Sequence, residues 1–198
     1  PVRFSQGIFL KNNNAKFGLY DSSFEKSSCG VGFLTRKDGK QTHELLLMGH
    51  EALCAVPHRG GMSAEGVGDG AGVCVDLSYR FFCKLTGKQL QMGAFGVGNF
   101  FLPDDVDQHA RAEALIAGAL EHQSMRVILI RDVDVNNTIV RPAAVRHQQK
   151  IRQWVFVTPE EVDTVTLDQQ IYQSLLQIEA EAFTQPALQG LYPLSLSR

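Results

Sequence analysis

The sequence predicts a single α+β domain. Short apolar strand segments alternate irregularly with helices along most of the chain, and 198 residues suffice for one sizeable hydrophobic core but not for two independent ones. The 44% hydrophobic and 20% charged content and the net charge of −2 are those of an ordinary globular protein. No basic excess exists to recruit a phosphate backbone, so nucleic acid is not an expected partner. No apolar run approaches the roughly 20 residues needed to span a bilayer, and the N-terminus lacks the continuous apolar stretch of a secretory signal. The expectation is therefore no membrane partner and a cytoplasmic location. Cys29, Cys54, Cys74 and Cys83 contain no CxxC pair, so each is expected to be a free thiol in a reducing compartment.

Taken in order, residues 1–28 are polar, with "KNNNAK" and "DSSFEKSS", and read as an extended leader appended to a domain spanning 29–198. "CGVGFLTR", from Cys29 to Arg36, reads as a short strand, followed by a turn in "RKDGKQ". "THELLLMGHEALCAV" (42–56) has Leu45, Leu46, Met48, Ala52, Leu53 and Val56 at helical spacings and is ended by Pro57. The loop from His58 to Val73 carries Gly60, Gly61, Gly66, Gly68, Gly70 and Gly72. So many glycines cost entropy on folding and suggest tight turns or close approach of backbone to a ligand. "VCVDLS" (73–78) and "GAFGVGNFFLP" (93–103) read as strands, followed by a helix from about Asp104 to His122 with acidic residues near its start. "MRVILIRDV" (125–133) and "WVFV" (154–157) are further strands. "TPEE" then offers Thr158 as N-cap, Pro159 at the first helical position and Glu161 closing a capping box, for a helix running to about Phe183.

By residue type alone two readings of Cys29 stay open. Free cysteine is among the most buried residues, so it could be a core thiol. A cysteine nucleophile instead needs a base to become thiolate. At a chain terminus its own α-amino group, with an unperturbed pKa of about 7.7–8.0, can serve. That solution requires a cut before Cys29, and the small residues Ser27, Ser28 and Gly30 leave the bond accessible.

"GLYD" (18–21), "CGVGF" (29–33), "HRGG" (58–61), "GDGAGV" (68–73), "FGVGNFFLP" (95–103) and "RDVDVNNTIVRPAA" (131–144) occur in an order that resembles the N-terminal glutaminase domain of the glutamate synthase large-subunit family. That family is similar to other class II glutamine amidotransferases, N-terminal-nucleophile hydrolases with a four-layer αββα sandwich and a removable propeptide. The resemblance implies that Cys29 is the nucleophile, attacking the side-chain amide of glutamine, releasing ammonia and leaving a glutamyl thioester for water to hydrolyse. It also implies that Arg59, in "HRGG", stands beside the site, where its planar fork can order the cysteine terminus or a substrate carboxylate. On residue type Arg59 also reads as a surface arginine in a glycine loop. Asp69 reads as ordering its turn through backbone N–H groups.

Ser22, Ser27 and Ser28 depart from the family pattern of a proline after "LYD" and an acidic residue before the nucleophile. The family's oxyanion hole lies in a later "HNGE"-type segment, absent from this sequence, and "LYPLSLSR" resembles the strand before it. The resemblance therefore implies that the chain carries the first part of the glutaminase domain with its propeptide attached, and that it is a poor glutaminase on its own. Glutamine and the remaining synthase domains or subunits are the implied partners. No cofactor is expected in this segment, while FMN and an iron–sulfur cluster are implied for the parent enzyme. The alternative is a non-catalytic remnant or split docking domain of a synthase complex.

Two other chemistries are weaker. His50, Cys54 and His58 are spaced i, i+4, i+8 and could line one helix face as metal ligands, but Pro57 interrupts the helix before His58, and no metal site is expected. The glycine loop lacks both GxxxxGK[ST] and GxGxxG, which argues against a phosphate cradle.

Overall fold

The computed structural model describes residues 30–55, 65, 67–68, 70–159 and 162–198. The chain divides into two compact units, Pro1–Val73 and Cys74–Arg198.

In the first unit the described residues form one helix, α1 (His43–Cys54). It starts where Thr42, in an extended conformation, accepts the Leu45 N–H on its hydroxyl, which satisfies one of the N–H groups a helix start leaves without a partner. No described residue of this unit is buried.

The second unit is built on four antiparallel strands: β1 (Phe95–Phe101), β2 (Arg126–Asp132), β3 (Ile151–Val157) and β4 (Tyr192–Ser197), in the order β2-β3-β1-β4. The helices are α2 (Tyr79–Thr86), α3 (Val106–His122), the single turn α4 (Pro142–Val145) and α5 (Thr164–Thr184). Side chains alternate across the pleat, so β1, β2 and β3 each serve two cores. Phe100, Trp154 and Phe156 face one way and pack with Ala112, Ile116 and Leu120 of α3 and Leu167, Ile171 and Ile178 of α5. Phe95, Val97 and Val155 face the other way, against Phe82 of α2 and Leu90. Each fully buried large side chain contributes roughly 1.5–3 kcal/mol. The Ser174 hydroxyl, fully buried, donates to Ala119 O at 3.0 Å and ties α5 to α3.

The α+β class is as expected: helices stand with one four-stranded antiparallel sheet among the described residues. Several local expectations differ. The single core is instead a pair of apolar clusters on the two faces of one sheet, both within Cys74–Arg198. Residues 30–36 form no strand, and Val31 and Phe33 are 97% and 89% exposed. Residues 73–78 form none either, with Val73 and Val75 exposed. Apolar alternation makes a strand only where a neighbouring ladder accepts it. α2 was not anticipated. It is closed by Gly87 at φ 65, a left-handed C-terminal cap that glycine adopts without strain. The long C-terminal helix starts later than "TPEE" suggests. The Thr158 N–H donates to Ala94 O at 3.1 Å and prolongs the β1–β3 pairing. The cap is Asp163, whose Oδ1 accepts the Val165 and Thr166 N–H groups at 3.0 and 3.1 Å. Hydrogen bonds from Thr166, its hydroxyl first, hold the Asp163 carboxyl below its ordinary value.

Candidate functional site

Cys29, Arg59 and Asp69 lie outside the described residues, as do Pro57 and His58. What the structure does describe is the chain adjoining them in sequence. Gly30–Thr35 leads from Cys29 into a turn closed by the Gly39 N–H on Arg36 O at 3.1 Å, with Gly39 at φ 65. Arg36 grips Asp38 with both arms of its guanidinium, Nε to Oδ1 at 2.9 Å and Nη2 to Oδ2 at 2.8 Å. The hydrogen bond from Arg36, helped by the Lys40 N–H, lowers the Asp38 carboxyl to about 2. This turn delivers the chain to Thr42 and α1.

Helix α1 is where the two candidate segments meet. A methyl group placed on Gly49 would lie 3.7 Å from Val73 Cγ1 and 4.0 Å from Leu34 Cδ1. Leu34 follows Cys29 by five residues, and Val73 ends the glycine loop that contains Arg59. Leu34, downstream of the candidate nucleophile, and Val73, at the end of the arginine-bearing loop, therefore both lie near one small spot on one helix. Gly70, at φ 88, supplies the left-handed turn that such a loop was expected to need.

On the same helix His50 and Cys54 face each other, with Cys54 Sγ 3.9 Å from both ring nitrogens. This is the i, i+4 part of the triad considered from the sequence. Among the described residues no three His, Cys, Asp or Glu side chains gather in a metal-binding group.

Sequence reasoning did not find the polar row on the α2 side of the sheet. Arg131 Nε donates to Gln153 Oε1, Gln153 Nε2 to Asn99 Oδ1, and Asn99 Nδ2 to Ser195 Oγ, each at 2.9 Å. The row visits all four strands, and its members become neighbours only through strand register. On the opposite face Arg152 joins Glu113 of α3, at 2.9 Å, to Asp132, at 3.1 Å. Burial alone would lower the Arg152 guanidinium, but the bonds to Glu113 and Asp132 outweigh it and raise it.

Residues 29–198 match the family described as "Glutamine amidotransferases class-II". Curated proteins similar to this chain include "Glutamate synthase [NADH]" of Schizosaccharomyces pombe, 31% identical over 165 residues, covering 78% of this chain and 8% of that protein. "Glutamate synthase [NADPH] large chain" of Bacillus subtilis is 30% identical over 160 residues, 78% of this chain and 10% of that protein. "Ferredoxin-dependent glutamate synthase 1, chloroplastic/mitochondrial" of Arabidopsis thaliana is 30% identical over 185 residues, 90% of this chain and 11% of that protein. The chain thus spans about a tenth of the length of these relatives.

Proposed function

Because the chain belongs to the class-II glutamine amidotransferases, we propose that it is the glutamine-hydrolysing part of a glutamate synthase, with Cys29 as nucleophile. The observation that carries this reading is that the family match begins at residue 29, where the only cysteine followed by an apolar glycine-rich "GVGF" stands. The names of the similar proteins, all glutamate synthases, support the choice of parent enzyme.

A cut between Ser28 and Cys29 frees an α-amine that takes the thiol proton. The thiolate then adds to the side-chain amide carbon of glutamine. Collapse of the tetrahedral intermediate returns the proton to the departing nitrogen, so ammonia leaves and a thioester to Cys29 remains. Water adds to the thioester with the amine again as base, and glutamate leaves as the thiol is restored. While residues 1–28 remain attached, an amide nitrogen replaces the amine and cannot accept the proton. Arg59, with two parallel N–H donors, holds the α-carboxylate of glutamine or the cysteine terminus. The released ammonia serves glutamate synthesis from 2-oxoglutarate in the remaining domains or subunits, which also hold the flavin and the iron–sulfur cluster. The compartment is cytoplasmic.

The test is intact mass and N-terminal sequencing of the purified protein, followed by labelling with the glutamine analogue 6-diazo-5-oxo-L-norleucine and peptide mapping. A chain that begins at Cys29 and takes one label there, lost in Cys29→Ser, is the expected result. A chain that begins at Cys29 yet takes label elsewhere, or none, overturns the assignment of the nucleophile.

A further inference from the structure

Helix α5 carries a second apolar stripe that the core does not use. Leu167, Ile171, Ser174 and Ile178 are buried. At 3.6 residues per turn Val165, Tyr172, Leu176 and Phe183 fall on the opposite side, and they are 65%, 59%, 44% and 92% exposed. Exposed Gln169 and Glu179 complete the stripe. Its members alternate four and three residues apart, which is the a/d spacing of a coiled-coil seam. Tyr192 and Leu194 of β4, 61% and 41% exposed, extend the surface where Leu176, Phe183 and Tyr192 line one groove.

The occupant follows from self-complementarity. In a parallel pair each stripe residue would face its own counterpart, and Glu179 would oppose the partner's Glu179 at the seam. Run antiparallel about a two-fold axis level with residue 174, the same stripe pairs without conflict. Val165 then meets the partner's Phe183, small against large, and Tyr172 meets the partner's Leu176. The Gln169 amide meets the partner's Glu179 carboxylate as donor to acceptor. Beside the seam Thr166 faces the partner's Ala180 and Asp168 the partner's Ala182, so no like charges oppose. A two-fold axis makes each of these contacts twice. Weighted by their exposures, the four apolar stripe residues offer on the order of 500 Å² per copy, roughly 1,000 Å² for the pair, the size of a weak and reversible interface.

We propose that α5 is the two-fold interface of a homodimer of this chain, formed as an antiparallel helix pair. Sedimentation velocity of the purified chain over a concentration series, with disulfide trapping and peptide mapping, tests it. The unmodified chain should show a monomer–dimer equilibrium, and Leu176→Lys should weaken it by at least about tenfold while the far-ultraviolet circular dichroism is unchanged. If that variant does not fold, Val165→Lys at a more exposed position gives the same reading. Gln173→Cys, beside the axis, should link to its own counterpart. Val165→Cys should not, because 18 residues of helix separate the two copies by about 27 Å. A chain that stays monomeric throughout, a dimer indifferent to both lysine variants, or self-linkage at position 165 overturns the proposal.

Discussion

Arg131 donates from Nε to Oε1 of Gln153 at 2.9 Å, and that one bond orients three further polar groups. A guanidinium has donors only, so Gln153 must turn its oxygen towards Arg131 and its nitrogen towards Asn99. Asn99 must then offer its oxygen to Gln153 and its nitrogen to Ser195. The direction of the whole row is set at the β2 edge of the sheet.

Replacing Gln153, 8% exposed, by leucine leaves two hydrogen-bonding groups without their partner. Gln153→Leu should cost about 1–3 kcal/mol in chemical denaturation. Gln153→Glu should cost clearly less. The carboxylate still accepts from Arg131, and Asn99 can turn over to donate to it while accepting from the Ser195 hydroxyl. Equal losses in the two variants would show that the row's direction has no energetic weight.

Two glycines should respond in opposite senses. A methyl on Gly96 of β1 would sit 2.7 Å from Ser197 O and 2.6 Å from Phe156 Cε2. The backbone oxygen cannot rotate away, so Gly96→Ala should destabilise by about 1–3 kcal/mol. Around Gly118 of α3 nothing lies within 4 Å, and Gly118→Ala should stabilise by up to about 1 kcal/mol. Thermal melts of the two variants check both signs.

The Asp38 carboxyl stands below its unfolded value because of the hydrogen bond from Arg36. Its contribution to the turn is therefore complete above the ordinary carboxylate range and is lost as the pH falls through about 2. A carbon-detected NMR titration should place the Asp38 midpoint there, and Arg36→Gln should return it towards about 3.9. A midpoint near the ordinary value in the unmodified protein would mean that the Arg36 grip does not persist in solution.

If Arg59 holds the glutamine carboxylate as a fork, lysine cannot replace it. Arg59→Lys in protein processed to Cys29 should raise KM for glutamine about tenfold or more, with a smaller change in kcat. A fall in kcat at constant KM would assign Arg59 to the reacting end.

The elements that could be read from the sequence are those whose apolar spacing is long and regular. β2 and α3 lie within about two residues of their expected bounds, and Asp105 caps α3 through the Asp107 and Gln108 N–H groups, in keeping with its acidic start. "VCVDLS" failed because alternation alone supplies no ladder. Thr158 failed as a cap because the chain there still runs with the sheet, its N–H on Ala94 O, and the helix starts only at Thr164, capped by Asp163. The row from Arg131 to Ser195 has no sequence signature, since its members lie 22, 54 and 96 residues apart. Cys29 was singled out by resemblance and by the need of a terminal thiol for a base, and lies outside the described residues, whereas the approach of Leu34 and Val73 to Gly49 required the fold.

Trp154 is the only tryptophan in the chain. It is fully buried, lies edge-on to Phe100 with ring centroids 5.2 Å apart, and has no hydrogen-bond partner for its indole nitrogen among the described residues. An indole so removed from water emits at short wavelength, and with excitation that tyrosine does not absorb all of that emission comes from one place. The intrinsic fluorescence of this protein is thus an optical gauge of the seam between the sheet and helices α3 and α5, free of background from any second emitter of its kind.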